Sequence, residues 1–556
     1  MAGERLIYMP LGGAGEIGMN AYVYGYGRPG QERLLVVDLG VTFGDMETTP
    51  GIDLILPDLS WLEARRDRID GIVITHAHED HVGALGLVWD RLRAPVHARK
   101  FTLALAKLKL EERGAVAPSM LREVAPWPET FAVGPFTVGI VPISHSIPES
   151  GGLVIDSPAG RVVHSGDFKI DPDPVVGEPF DPEVWRAIGA GGVRALTCDS
   201  TNVFSLHPGR SESSLAAPLS ALLRDRRGLV VATTFASNVA RVKTLARAAE
   251  AAGRSVCLLG RAMRRMVDTA LATGLLTGFP RTIGPEEAEG VPRGNLLILA
   301  TGSQGERRAA AAQLASQGYM GLRMQEGDTV LFSARTIPGN ERAVARVLNG
   351  FSEKGVEVLD DGGGLYHVSG HANRPDLEAF HDLIRPEILV PMHGEHRHLS
   401  EHLRVARARG LEGVLATNGT MLDLTRGPAR VAEYVETGRS YLDGAVLVGG
   451  QDGVVRDRVR MAMNGHVTVT LILDEGDEPL GEPWVEVMGL PGTGRSQAPL
   501  AEVMEADLAQ FVGRADRGTI RDEERLEKEL ARVARQTAQA ELGKKPEVTV
   551  VVSRLS

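Results

Sequence analysis

The sequence predicts a mixed α/β protein assembled from several domains, and three observations lead there. A chain of 556 residues exceeds what one hydrophobic core sustains, so about two to four domains are expected. The hydrophobic rhythm changes at Ser211, from short strand-like runs to a strict alternation of strand and helix. It changes again past Ser440, where a glycine-rich stretch leads into a short α+β tail.

In the first part, GIVIT, FTVGIVPIS, GGLVIDS and RVVHSGD are β-branched runs punctuated by Gly, Pro and Ser, with helical stretches such as TLALAKLKLEE between some of them. From Ser211, SESSLAAPLSALLRD reads as a capped helix, GLVVATTF as a strand and NVARVKTLARAAEAAG as a helix. SVCLLG, RAMRRMVDTALATGLL, NLLILATGS, RRAAAAQLASQG, DTVLFSA, ERAVARVLNGFSEKG and VEVLD continue the pattern. Strand and helix in strict turn imply a compact parallel α/β unit. GAVLVGGQDGVVRDRVRMAMNG then reads as a linker, and HVTVTLILD, EPWVEVMGL, two helices and EVTVVVS make a small α+β domain.

Composition narrows the class. With 43% hydrophobic and 24% charged residues the chain is ordinary for a globular protein. No apolar stretch approaches the ~18 residues of a membrane span, and MAGERLIYMPL lacks the layout of an export signal. Two cysteines, Cys198 and Cys257, can build neither a disulfide framework nor a cysteine metal site, so a reducing cytoplasm is expected. The net charge of −11 argues against indiscriminate binding to nucleic acid. Pro208 to His367, however, carries 20 Lys+Arg against 15 Asp+Glu, a local +5 that leaves −16 elsewhere. A basic module in an acidic chain points to a local anionic partner.

The motif GAGEIG at 13–18 has the spacing of a dinucleotide-binding loop, with Asp38 twenty positions beyond its last glycine. Such a site needs that glycine to open a helix facing the pyrophosphate. Here MNAYVYGYG follows, an alternating strand pattern, so a tight turn between two strands is expected instead. Gly15 and Gly18 would serve its shape, and Asn20 would hold a neighbouring loop.

The strongest chemical signal is THAHEDH, Thr75 to His81, directly after GIVI. His76, His78, Asp80 and His81 fall within six residues. On an extended segment His76 and His78 point the same way and can share one ion, while a turn lets Asp80 and His81 reach a second. Imidazoles with a carboxylate suit a borderline divalent metal such as zinc or manganese. His145 in PISHSIPES, Asp167 in HSGDFKID and His393 in PMHGEHRH, each after an apolar run, are candidates to complete the set.

The order HxHxDH, a lone His, SGD and a late His resembles the metallo-β-lactamase fold family. That resemblance implies an αβ/βα sandwich with its site at one edge. It places His76, His78 and His145 on one ion, Asp80, His81 and His393 on the other, Asp167 between them, and Asp38 as support for the metal loop. LTCDSTN with Asp199, YHVSGHA with His371 and PMHGEH with His393 look like three further motifs of the β-CASP nuclease branch, whose hallmark is an α/β domain inserted between the first two. GGAGEIGMN, THAHEDH, SHSIPES, SGDFKID, TTFASN, IPGNE, HVSGHA and PMHGE, in this order, resemble the bacterial ribonuclease J family from about residue 7 to 440, and the tail agrees. Ala77 stands where that family usually has glycine, and Arg335 and Thr336 where a serine-proline run is common. The implied domains are 1–207 and 368–440 for the metallo-β-lactamase part, 208–367 for the insertion, 441–460 for a linker and 461–556 for the C-terminal domain.

The function implied is a two-metal ribonuclease with 5′-to-3′ exonuclease and endonuclease action in RNA maturation and decay. Asp199 and His371 would do acid/base work. His367, Val368, Ser369, Gly370 and His371 would cradle a substrate phosphate, as would Ser237 and Asn238, although Ser and Asn at a strand-to-helix turn are also ordinary helix caps. The resemblance further implies two divalent ions, zinc or else manganese, single-stranded RNA with a 5′-monophosphate, and a homodimer or homotetramer through the C-terminal domain. Proteins of RNA-degradation complexes are further expected partners, the location is cytoplasmic, and no membrane is involved. Because DNA-directed members of the branch it resembles tend to carry an apolar residue at this place, His393 implies RNA over DNA. The alternatives are another hydrolase of the fold (DNA nuclease, lactonase or thioesterase) and a non-catalytic RNA-binding scaffold. Of the remaining histidines, His97, His207, His396, His398, His402 and His466 are read as surface or structural, and His164 as open to a supporting role beside Asp167. Cys198 reads as a small buried hydrophobe.

Overall fold

The computed structural model describes residues 3–115, 118–337, 339–360 and 364–555. They form two compact units, one taking in the chain up to Thr42 with Leu56–Arg439, the other Phe43–Ile55 with Ser440 onward.

The first unit contains two mixed sheets facing each other. In one, Arg5–Gly12 pairs antiparallel with Ala21–Gly27, followed in space by Arg33–Val37, Ile69–Val73, Val96–Ala98 and Leu121–Glu123, with Thr420–Asp423 and Arg430–Tyr434 added on the other side. The other has the spatial order Ile388–Met392, Ala195–Asp199, Gly160–His164, Gly151–Ser157, Phe136–Pro142 and Phe131–Val133. Successive residues of each strand point to opposite faces, so one set of alternate residues from each sheet turns toward the other sheet. Tyr8, Tyr24, Leu35 and Val73 thus meet Val138, Ile140, Leu153 and Val390 in one core. The opposite faces of the second sheet's strands, among them Val154, Val163 and Leu196, pack on Trp185, Phe380 and Val405 from the helices Pro182–Ala190, Arg374–Ile384 and His396–Ala408. The expected layered sandwich is present.

The chain leaves the second sheet at Asp199 and returns at Ile388, the two strands lying parallel and adjacent. Between them lies an all-parallel sheet of Thr282–Ile283, Ser255–Leu259, Leu296–Ala300, Val230–Thr233, Thr329–Phe332 and Glu357–Leu359, in that spatial order. Its inner strands are buried on both faces, which is why NLLILA and TVLF read as continuous apolar runs.

In the second unit Trp484–Met488 pairs antiparallel, and Glu547–Arg554 parallel, with His466–Leu473, and the sheet packs on Leu500–Val512 and Glu523–Leu542. The long helix starts at Asp522, whose carboxylate accepts from Arg525 N–H. Two features differ from the sequence expectation. The presumed linker 441–460 carries a hairpin, Arg439–Asp443 with Val446–Gly449, and the start of the helix Val454–Asn464. Its glycines form a turn and a helix N-cap, roles that look the same in composition as a flexible tract. Residues 43–55, expected in the first domain, belong with this unit: Asp53 N–H donates to Leu442 O, and Arg458 donates to Pro50 O.

His97 is a core residue, stacked on Phe131 with ring centroids 4.8 Å apart. Burial, with Arg122 nearby, pushes it down to about 4. Between that value and the ordinary ~6.5 the unfolded chain binds a proton that the folded chain refuses, so stability falls as pH drops through this window. His97→Phe keeps the stack and removes the proton. Its unfolding free energy from urea titrations should fall less than that of wild type between pH 7 and pH 5, by up to about 1 kcal/mol after solvent screening; parallel losses would refute this.

Candidate active site

Strands of both sheets deliver the expected residues to one edge of the sandwich. Gly160–His164, Ala195–Asp199 and Ile388–Met392 run parallel, so their C-terminal ends present Asp167, Asp199 and His393 together. Arg33–Val37 and Ile69–Val73 are likewise parallel, and lead to Asp38 and to the segment Thr75–His81.

Two clusters of donors form there. His76 Nε2 and His145 Nε2 each lie 3.1 Å from His78 Nδ1. Beside them, His81 Nε2 is 3.2 Å from Asp167 Oδ2 and 3.5 Å from Asp80 Oδ2, while His393 Nε2 is 3.2 Å from Asp80 Oδ2 and 3.5 Å from Asp167 Oδ2. Asp167 Oδ2 also lies 3.8 Å from His145 Nε2, so this carboxylate stands between the clusters. Each cluster groups ligand atoms closely enough to hold a metal ion.

The donor chemistry fits a cation. Three ring nitrogens directed at one point have lone pairs that repel unless a positive charge sits among them. Burial holds His78 down at about 4 and pushes His76 and His145 well below the ordinary value, so all three present neutral lone pairs. Asp167 Oδ1 is buried with no hydrogen-bond partner among the described residues. In the second cluster burial opposes charge, yet Asp167 and Asp80 raise His81 well above its ordinary value: this is a place where carboxylates stabilise positive charge.

Every imidazole in the two clusters is also gripped at its outer nitrogen, the arrangement that fixes a ligand's tautomer and orientation. His76 Nδ1 lies 3.0 Å from Thr75 Oγ1, His81 Nδ1 2.7 Å from Asp38 Oδ2, and His145 Nδ1 2.6 Å from Gly370 O. His393 Nδ1 lies 2.7 Å from Thr201 Oγ1, and His78 Nε2 3.1 Å from Ser237 Oγ. Asp38 additionally accepts from Thr75 N–H and Oγ1, which ties the metal loop to the end of its neighbouring strand.

The glycine motif supports this loop. Gly13 (φ +82°) turns the chain between the first two long strands, and a Cβ there would lie 2.1 Å from Asn20 Oδ1. Asn20 Nδ2 donates to Asp80 O at 2.9 Å and approaches Asp80 Oδ2 at 3.3 Å, while Tyr22 OH donates to Asn20 Oδ1. Gly40 allows equally close passage, since a Cβ would collide with Asp80 O at 1.6 Å. At Ala77 no left-handed backbone is needed.

Asp199 Oδ2 lies 2.8 Å from His371 Nδ1, and its Oδ1 accepts from Thr201 N–H and Oγ1. The turn-forming and charge-pairing readings of Asp199 are therefore both realised. Burial pulls His371 down, but Asp199 outweighs it and the net shift is upward. Ser369 Oγ accepts from His371 N–H and from Asn202 Nδ2, shaping the loop 367–371, in which Val368 is buried. Burial and the Arg241 guanidinium push His367 down to about 3, so its Nδ1 accepts from Arg241. Asn238 is buried and caps the helix Val239–Ala251 through Arg241 N–H, so its amide serves the turn that presents Ser237. His164 is bonded to Tyr24 and Thr197 and packs on Tyr22, within the core.

Sequence reasoning missed a buried ionic chain: Lys169 pairs with Asp171, Glu212 N–H donates to Asp171 Oδ2, and Glu212 takes two bonds from Arg241. The unexplained charges in DFKID were its only signal. It also missed the contact of His381 Nε2 with His402 Nε2 at 3.0 Å.

Comparison with known proteins follows the same division. Family models match in succession: Metallo-beta-lactamase superfamily over residues 15–222, Ribonuclease J, beta-CASP domain over 227–351, Zn-dependent metallo-hydrolase RNA specificity domain over 365–415, and Ribonuclease J C-terminal domain over 453–555. Fold and site thus define a metal-dependent ribonuclease of the metallo-β-lactamase superfamily. Ribonuclease J of Sinorhizobium meliloti is 40% identical over 99% of this chain and 98% of its own, and that of Thermus thermophilus 34% identical over 90% and 87%. The chain belongs to the ribonuclease J family. A crystal structure of a protein of unknown function from Enterococcus faecalis V583 has a TM-score of 0.51 at 17% identity, covering 75% of this chain and 100% of its own, a likeness of fold alone. No helix among the described residues is long and apolar enough to cross a membrane.

Proposed function

We propose that this ribonuclease works with two divalent ions, zinc or manganese, and cleaves single-stranded RNA both from a 5′-monophosphorylated end and internally. The observation that carries the reading is the full set of outer-nitrogen partners on His76, His78, His81, His145 and His393, which leaves each inner nitrogen facing a shared point. His76, His78 and His145 hold one ion, Asp80, His81 and His393 the other, and Asp167 serves both. When bound, such a pair neutralises phosphate oxygens and brings the pKa of a water toward neutrality. The residues do the rest. The loop 367–371 and Ser237 seat the scissile phosphate with backbone N–H groups and hydroxyls. His371, held through Nδ1 by Asp199, keeps its second proton at Nε2 for the leaving 3′-oxygen, so that water attack leaves a 5′-phosphate and a 3′-hydroxyl. The enzyme acts in cytoplasmic RNA maturation and decay as a homodimer or homotetramer through its C-terminal domain, alongside proteins of RNA-degradation complexes.

A time course on 5′-labelled, 5′-monophosphorylated RNA beside matched DNA tests this. Early release of labelled mononucleotide together with discrete internal fragments, from RNA in preference to DNA, is expected. Preference for DNA, or a single mode of cleavage, would overturn the corresponding part.

A further inference from the structure

We propose that Ser237 is a positioning residue for His78, and that through it the inserted domain couples the first ion site to the seating of a substrate phosphate. The inference rests on the two-ion reading above and goes beyond it. His78 faces its two imidazole neighbours through Nδ1, which must offer a lone pair there. A neutral imidazole then carries its proton on Nε2. That nitrogen lies 3.1 Å from Ser237 Oγ, so His78 donates and the hydroxyl accepts. A hydroxyl that accepts still has its own proton to give. Ser237 is half-buried, and a phosphate oxygen is the acceptor its place beside the cradle suits.

The two bonds reinforce each other. Charge drawn from His78 by an ion makes its N–H a stronger donor, which in turn polarises the serine O–H toward an anion. The residues that set Ser237 in place are rigid: Asn238 caps its helix, and the fully buried Arg241 fastens that helix to Glu212, Ser333 and the backbone of Tyr366. A second contact follows the same logic, because Gly370 O, inside the phosphate loop, accepts from His145 Nδ1. Two ligands of one ion are therefore held from behind by the elements that hold substrate. Coupling of this kind is reciprocal: whatever phosphate adds to ion affinity, the ion adds to phosphate affinity.

The test measures Zn2+ and Mn2+ affinity of the full-length protein by competition with a chromophoric chelator, with and without saturating adenosine 5′-monophosphate. Without nucleotide, Ser237→Ala should weaken one of the two ions, that of the His76, His78 and His145 cluster, about 10- to 100-fold, the usual effect of losing an outer partner, while Ser237→Thr, which keeps the hydroxyl, restores it. The nucleotide should tighten ion binding several-fold in wild type and Ser237→Thr but not in Ser237→Ala. An alanine variant with wild-type ion affinity and weakened nucleotide binding would overturn the inference alone, leaving Ser237 a phosphate ligand only. Failure of the wild-type protein to take up two ions of either metal would instead overturn the two-ion reading on which it stands.

Discussion

Asp167→Ala is expected to abolish RNA cleavage, by about a thousandfold or more, because it removes the one carboxylate among the described residues that approaches both donor clusters. Its Oδ2 lies within 3.8 Å of imidazole nitrogens of His81, His145 and His393, so in the proposed two-ion site its loss would leave either ion short of a ligand. Losing the charge stabilisation supplied by a metal pair costs several kcal/mol, and each 1.36 kcal/mol is tenfold in rate. Metal content should fall in parallel, and added metal should not restore the rate. A variant with more than a tenth of wild-type activity would show that Asp167 is dispensable.

Asp199→Asn should separate proton transfer from metal binding. Asp199 Oδ2 receives His371 Nδ1, and the side chain is buried, so the amide leaves the imidazole without its countercharge. Cleavage should drop about 100- to 10,000-fold, the range of a lost general acid or base, with metal content intact. Because Asp199 raises the affinity of His371 for its proton, the limb of the pH–rate profile on which activity declines with rising pH should move to lower pH in the variant. An unchanged profile would place His371 outside the proton transfer.

Much of this site was legible in the sequence because its chemistry is local in the chain. His76, His78, Asp80 and His81 fall within six residues at a strand end, and the alternation after GAGEIG signalled a strand in place of a cofactor helix. The parallel insertion was legible too, since strands buried on both faces are plainly apolar. What stayed hidden depends on pairs remote in sequence. Nothing local shows that Ser237 meets His78, 159 residues away, or that Thr201 backs His393 across 192. Arg241 and Glu212, 29 residues apart, carry no local sign of burial, and only folding buries them together. Glycines at 444 and 453 misled for another reason: turn, cap and flexible tract share one composition.

The placement of Phe43–Ile55 has a consequence for how the protein is made. Asp53 and its partner Gly444 are separated by 391 residues. At about 5–20 residues per second, the ribosome delivers the rest of that unit roughly 20–80 s after the segment itself. Throughout that wait Asp53 lacks the two backbone partners it has in the finished protein, the N–H of Gly444 and the carbonyl of Leu442. A chain cut short before residue 440 would keep Phe43–Ile55 but never gain the rest of the unit to which they belong, so no single cut in the sequence separates the two units cleanly.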